Sequence, residues 1–195
     1  HENSTGFGPD WMKQQEQKRQ WMTQNSLYRE EDEHASCGVG LVVSINGKAS
    51  RKVVENGIAA LKAVWHRGAV DADGKTGDGA GIHVQIPVRF FYDQIRRTGH
   101  EPRQDELVAV GQVFLPRADF GAQETCRSIV ESEVLRMGYY IYGWRHVPVE
   151  VSCLGEKANA TRPEIEQILI SNSKGVDEET FERDLYVIRR RIEKS

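Results

Sequence analysis

Polar and apolar positions change character at one point in the chain. Through residue 36 large apolar side chains are sparse, and Arg29, Glu30, Glu31, Asp32, Glu33, His34, Ala35, Ser36 is mostly charged with no core-forming pattern. From Cys37 an apolar, β-branched run begins, Cys37-Gly38-Val39-Gly40-Leu41-Val42-Val43-Ser44-Ile45, which predicts a buried strand with the cysteine at its mouth. Asn46-Gly47 predicts a hairpin-type turn after it. Ser50 stands at the N-cap of a helix to about residue 65, with Val53, Val54, Ile58, Leu61 and Trp65 at helical spacing and Gly68 in the C′ position. Ile82, Val84 and Ile86 alternate with Gly81, His83 and Gln85, a second strand. Pro87 ends it and opens a helix through Phe90, Phe91 and Ile95 to a stop at Gly99.

Residues 107–115 read as a continuously apolar third strand ending at Pro116. Asp119 then caps a helix to about residue 137, closed by Gly138, with Ile129, Val130, Val134 and Met137 facing inward. Residues 139–147 and 165–170 predict strands, and 177–193 a last helix with Phe181, Leu185, Val187 and Ile188 apolar. Strands interleaved with helices predict an α/β layered architecture. Ahead of Cys37, residues 1–10 are polar and read as disordered. Residues 11–28 allow a short, loosely docked helix whose large apolar residues are Trp11, Met12, Trp21, Met22 and Leu27.

Composition narrows the class. At 195 residues the chain is long enough for one domain with a real core. With 26 basic and 29 acidic residues the net charge is −3, which gives no reason to expect a nucleic-acid or anionic-membrane partner. No apolar run approaches the roughly 20 residues of a membrane span, and no signal peptide is visible. Cys37, Cys126 and Cys153 are odd in number and far apart. They suit a reducing, cytoplasmic setting and lack the close pairs of a zinc or iron–sulfur site. A first residue other than Met, and a last one inside a helical pattern, lead us to expect a piece of something longer.

Cys37 is the candidate nucleophile. Gly38 and Gly40 leave room for a substrate or a second backbone near the sulfur. The polarity break suggests a residue that becomes the first of the mature chain, whose own α-amine, titrating near about 7.7–8.0, serves as general base. The plainer account is a small buried hydrophobe at a strand start. For Arg67 it is a cation at a helix C-terminus, worth about 0.3–1 kcal/mol. The loop 69–79 holds Asp71, Asp73, Asp78, three glycines and Lys75. Gly74-Lys75-Thr76 lacks P-loop spacing, three carboxylates would repel phosphate, and the aspartates do not follow a calcium-loop pattern. A tight structural loop is the preferred reading. His66, His83 and Cys126 read as packing or scaffold groups, and Arg189, Arg190 and Arg191 as charges suited to a helix C-terminus. Asn159-Ala160-Thr161 matches a glycosylation sequence without force in a cytosolic chain.

The Cys-Gly-Val-Gly opening at 37–40, His66-Arg67-Gly68, and Gly77-Asp78-Gly79-Ala80-Gly81 together resemble the class II, N-terminal nucleophile, glutamine amidotransferases. The run 65–81 is more narrowly similar to the large subunits of bacterial glutamate synthases, and the likeness continues through Gly138-Tyr139-Tyr140 and 155–169. The resemblance implies a four-layer αββα sandwich, incomplete at its C-terminus. Residues 1–36 would be a leader cut off between Ser36 and Cys37 by attack of the Cys37 thiol on the Ser36 carbonyl, and 37–195 the N-terminal part of the amidotransferase domain. Cys37 would attack the side-chain amide of glutamine, with Arg67 supporting the electrostatics, Gly68 lending its backbone, the 69–79 loop bordering the site and no metal involved. Ammonia would pass to downstream synthase domains of the same chain, where 2-oxoglutarate is reductively aminated. FMN and an iron–sulfur cluster are implied there, together with a small FAD/NADPH-binding subunit, while residues 1–195 themselves are expected to hold no cofactor.

One departure tempers this. The family's oxyanion donors come from an Asn-Gly pair, and here Asn46-Gly47 falls in a turn and Asn56-Gly57 in a helix, so neither fits. The donors and the arginine that clamps the glutamine α-carboxylate are expected beyond Ser195. The 195 residues alone are therefore expected to show little or no glutaminase activity. A class II amidotransferase for another acceptor, or a silent binding or assembly module of the same fold, are the alternatives.

Overall fold

A computed structural model describes residues 9–26, 38–64 and 70–195. Two units divide the chain, His1–Leu41 and Val42–Ser195. In the first, helix α1 (Pro9–Asn25) replaces the predicted 11–28. Its last turn is closed by the Asn25 side-chain amide donating to the Trp21 carbonyl at 2.9 Å and the Ser26 hydroxyl to that of Met22 at 2.6 Å. Trp21 is exposed, in keeping with a helix that has no apolar stripe to bury.

The second unit opens with the turn at Asn46-Gly47, where the Gly47 N–H donates to the Ser44 carbonyl at 3.0 Å and Gly47 takes φ +67°. Helix α2 (Arg51–Ala63) starts after Ser50 as expected, though the Ser50 side chain makes no capping bond. Helix α3 (Val88–Arg97) begins after Pro87, and Gly99, at φ +86°, ends its exit turn. Strand β1 (Val108–Leu115) leads into α4 (Phe120–Arg136), where the Asp119 carboxylate accepts from the Ala122 N–H at 2.9 Å. Beyond α4, Gly138 takes the left-handed φ of +82° that a C′ glycine supplies. Strand β2 (Tyr140–His146), a short helix α5 (Glu156–Thr161), strand β3 (Glu164–Ser171) and helix α6 (Glu178–Ile192) complete the order.

The strands form one antiparallel sheet in the order β1-β3-β2. The last strand in sequence therefore inserts between the first two, pairing Val108 with Ser171 on one side and Tyr140 with Ser171 on the other. Alternation along β3 sends Ile168 and Ile170 to one face and Leu169 to the other. The first face packs Ala109, Val130, Val134, Tyr139, Phe181 and Ile188 beneath α4 and α6. The second packs Phe91, Ile95 and Tyr142 beneath α3. Gly111 lies opposite Ile168, where a Cβ would come within 2.7 Å of the Ile168 Cγ2. Arg127 of α4 holds β3 with a two-pronged bond to Glu166, at 2.8 and 2.6 Å. Among the described residues no helix is long and apolar enough to cross a membrane.

Two expectations fail here. The strands read over 37–45 and 81–86 are not strands in the described residues, where 38–44 and 81–87 carry no regular secondary structure. Val39, Leu41, Val43 and Ile45 are exposed, as are Ile82, Val84 and Ile86. Alternation says which face a strand would bury, but a strand also needs a neighbour for its N–H and C=O groups, and none pairs with these segments among the described residues. Ile129, read as inward, is only half-buried, while Val130 and Val134 enter the core.

One buried carboxylate ties the α3 face together. Glu106 accepts the Tyr142 hydroxyl at 2.7 Å, the Arg103 N–H at 2.9 Å and the Ser171 hydroxyl, while its carbonyl accepts from Tyr92 at 2.8 Å. Burial pushes its pKa up, but the bonds from Ser171, Tyr142 and Arg103 outweigh that and hold it below the usual value. Burial and the bond to Glu106 in turn push Tyr142 up to about 12. A carboxyl with a depressed folded pKa adds stability above its unfolded pKa, about 4.3, and loses it as pH falls through the folded value. The gap in urea midpoint between the parent and Glu106→Gln is thus expected to be full at pH 7 and to narrow below about pH 4. A pH-independent gap would contradict this.

Candidate functional site

The loop after α2 is built from its own aspartates. A bridge pairs Val70 with Gly77, and inside it the Asp71 N–H donates to the Thr76 carbonyl at 2.6 Å. Gly74 takes φ +70° at the tip and donates its N–H to the Asp71 carbonyl at 2.9 Å. Asp73 Oδ1 accepts from the backbone N–H of Lys75 at 3.0 Å and of Thr76 at 2.7 Å, and Oδ2 from the Thr76 hydroxyl at 2.5 Å. Those bonds, led by that from the Thr76 hydroxyl, hold the Asp73 carboxyl well below the usual carboxylate range.

The tip is seated on the start of α5. Gly155 is its N-cap residue and has no side chain to cap with. The capping oxygens come instead from the hairpin: Asp73 Oδ2 accepts from the Lys157 N–H at 3.4 Å and Thr76 Oγ1 from the Ala158 N–H at 3.3 Å. These are the second and third N–H groups of the helix, the pair an N-cap side chain ordinarily serves. The Lys157 ammonium adds a 2.7 Å pair with Asp71. Gly155 is buried, and a Cβ on it would lie 2.2 Å from Thr76 Oγ1 and 2.5 Å from Asp73 Oδ2, so a side chain there would unseat the hairpin. The loop is a tight structural one, as its composition suggested, and the carboxylates of Asp71 and Asp73 are engaged in holding it.

Ser36, Cys37, Arg67 and Gly68 lie outside the described residues. Gly38 and Gly40 stand in open space, with nothing within 4 Å of a Cβ placed on either. On the Arg67 side, α2 ends at a C-cap on Val64 and the hairpin begins at Val70. Sequence reasoning missed the part of Thr76, Gly155 and Lys157 in seating this loop. Asp73 three residues before Thr76 was a visible capping signal, but the helix it caps lies some eighty residues further on, and no local pattern announces that.

The family of glutamine amidotransferases, class II, matches residues 37–195. The chain belongs to this family. Within it, the chain is 64% identical over 174 residues to the glutamate synthase [NADPH] large chain of Azospirillum brasilense, a stretch covering 89% of this chain and 11% of that one. It is 37% identical over 172 residues to the corresponding large chain of Bacillus subtilis, covering 86% and 11%. With the chloroplastic ferredoxin-dependent glutamate synthase of Spinacia oleracea it shares 34% over 163 residues, covering 84% and 10%. The chain thus spans about a tenth of the length of these relatives. A match of 174 residues cannot fit between Cys37 and Ser195, so the Azospirillum likeness reaches into the segment ahead of the cysteine. The mixed helix and sheet architecture is consistent with this amidotransferase family.

Proposed function

We propose that the chain carries the glutamine-hydrolysing step of a glutamate synthase, with Cys37 as nucleophile after removal of residues 1–36. The observation that carries this reading is that the family match opens on Cys37, where the charged leader gives way to the apolar run. Released as an N-terminus, Cys37 has an α-amine that titrates near about 7.7–8.0 and takes the thiol proton. The thiolate attacks the side-chain amide carbon of glutamine, a C–S bond forms, and the C–N bond breaks as the ammonium proton passes to departing ammonia. Water then adds to the γ-glutamyl thioester, releasing glutamate and the thiol. Arg67 supplies a permanent positive charge to this site and Gly68 a backbone N–H, and oxyanion donors worth about 2.7–4 kcal/mol each come from residues beyond Ser195.

Ammonia is passed to downstream domains that reductively aminate 2-oxoglutarate. FMN and an iron–sulfur cluster belong to that part. Cys126, on α4, and Cys153, whose thiol donates to the Glu150 carbonyl at 3.0 Å, are single free thiols and do not make a cluster ligand set. They suit the reducing cytoplasm that the reading implies. The αββα sandwich is part of the same proposal. Its second sheet would draw on residues 39–45 and 82–86, whose strand-spaced apolar side chains are otherwise left exposed.

The test uses the full-length protein. Mass spectrometry is expected to find a mature chain that starts at Cys37, and a glutamine-analogue electrophile such as diazo-oxo-norleucine is expected to label that residue. Active protein that retains residues 1–36, or label placed elsewhere, would overturn the reading.

A further inference from the structure

We propose that Asn46 is a site of self-modification, at which the Gly47 backbone nitrogen displaces the side-chain amide as ammonia and leaves aspartate or isoaspartate in the turn. The inference stands apart from the reaction proposed above. The described residues contain two Asn-Gly pairs, Asn46-Gly47 and Asn56-Gly57, and the structure holds them differently. Asn46 and Gly47 are both exposed. The Lys48 N–H donates to Asn46 Oδ1 at 3.0 Å, and the Ser44 hydroxyl donates to the same atom at 2.5 Å. A backbone N–H can only donate, so the atom it meets is the carbonyl oxygen of the amide. Both donors therefore stand where negative charge gathers when the amide carbon is attacked. A hydrogen bond to an oxyanion is roughly twice as strong as one to a neutral oxygen, so the pair favours the tetrahedral intermediate over the resting amide. Gly47, at φ +67°, has no side chain to crowd its own nitrogen, and nothing lies within 4 Å of a Cβ placed on it. The bond that must open first is from the Gly47 N–H to the Ser44 carbonyl, 3.0 Å long, and an exposed turn opens at little cost.

The step balances without a co-reactant other than water. The Gly47 nitrogen bonds to the Asn46 side-chain carbon, the bond from that carbon to its amide nitrogen breaks, and ammonia leaves with the proton that Gly47 gives up. Water then opens the five-membered imide at either carbonyl, giving aspartate or isoaspartate. Either product adds one negative charge, and isoaspartate also adds a backbone carbon to the turn. Asn56 is held against the same reaction. It lies inside α2, where the Gly57 N–H is committed to the carbonyl four residues back and the helix fixes the backbone on both sides. Gly57 is also covered, since a Cβ on it would meet the Ile82 Cδ1 at 3.4 Å. Attack at Asn56 therefore needs the middle of a helix to unwind, where attack at Asn46 needs one turn to open.

The measurement uses the full-length protein, incubated folded at neutral pH, digested in acid to stop the reaction, and read by mass spectrometry at each Asn-Gly peptide against a sample taken at the start. Asn46 is expected to gain the mass of an exchange of NH2 for OH, and to split into aspartate and isoaspartate forms, at least about tenfold faster than Asn56. In urea the two rates should come within about threefold of each other, because the helix no longer protects Asn56 and the turn no longer assists Asn46. Ser44→Ala removes one of the two donors to the oxyanion and is expected to slow the loss of Asn46 by about 3- to 10-fold. Ser44→Thr keeps the hydroxyl and should stay within about twofold of the parent. Equal rates at Asn46 and Asn56 in the folded protein would overturn the proposal. So would an Asn46 rate in Ser44→Ala that equals or exceeds the parent's, since the turn would then give the reaction no help.

Discussion

Replacing Cys37 with alanine in the full-length protein is expected to lower glutamine hydrolysis by about 10⁴- to 10⁶-fold, the scale on which hydrolases respond to loss of the nucleophile. The size follows from the chemistry. Water at neutral pH attacks an amide slowly, and the thiolate replaces that one hard step with two easier ones. Alanine removes the sulfur while leaving the pocket's binding groups in place, so glutamine should still bind with an affinity within a few-fold of the parent. The same substitution removes the group that, on the proposed reading, attacks the Ser36 carbonyl, and the variant is then expected to retain residues 1–36. A version whose chain begins at residue 37 separates the effects: with alanine first it has a free amine and no leader, and it should remain inactive. Cys37→Ser places a weaker nucleophile in the same position and is expected to fall between the two. Hydrolysis within about tenfold of the parent in the alanine variant would show that the sulfur does not carry the reaction.

Much of the fold could be read along the chain because its signals are local. Asp119 and Asp177 mark helix starts by accepting N–H groups three residues on, and Gly138 marks a stop by taking a backbone conformation that other residues avoid. What stayed hidden depends on partners far away in sequence. That β3 enters between β1 and β2 is a choice among registers that no strand states by itself. Gly143, at φ +140° beside the register shift in β2, and Gly111, beneath Ile168, became meaningful only with their neighbours in place. Helix α5 has six residues and takes its capping oxygens from Asp73 and Thr76, so neither its length nor its flanks announce it. At 38–45 and 81–86 the opposite happened: the alternation was plain, and among the described residues no strand pairs with it. Cys37 and Arg67 were singled out through likeness to a family, since a lone thiol before an apolar run and an arginine near a helix end each have an ordinary explanation.

Leu169→Ala is expected to be among the most damaging substitutions in the core. Leu169 has no exposed surface and projects from the middle of the central strand into the layer formed by Phe91, Ile95 and Tyr142, with Val108 and Val110 at its margin. Because β3 is bonded on both sides, the backbone cannot shift toward the vacated space without breaking one of the two ladders, so the cavity would persist. Transfer and cavity terms together put the loss at about 2–5 kcal/mol. At about 2–4 °C per kcal/mol for a chain of this size, thermal unfolding should fall by roughly 5–20 °C. The control is Leu135, also a leucine but 58% exposed on the outer side of α4, where alanine should change stability by less than about 0.5 kcal/mol. Since α3 packs on the sheet through the side chains that meet Leu169, amide exchange should quicken first in α3 and leave the α4 and α6 face protected. Equal losses at Leu169 and Leu135 would mean that the α3 layer is not packed as described.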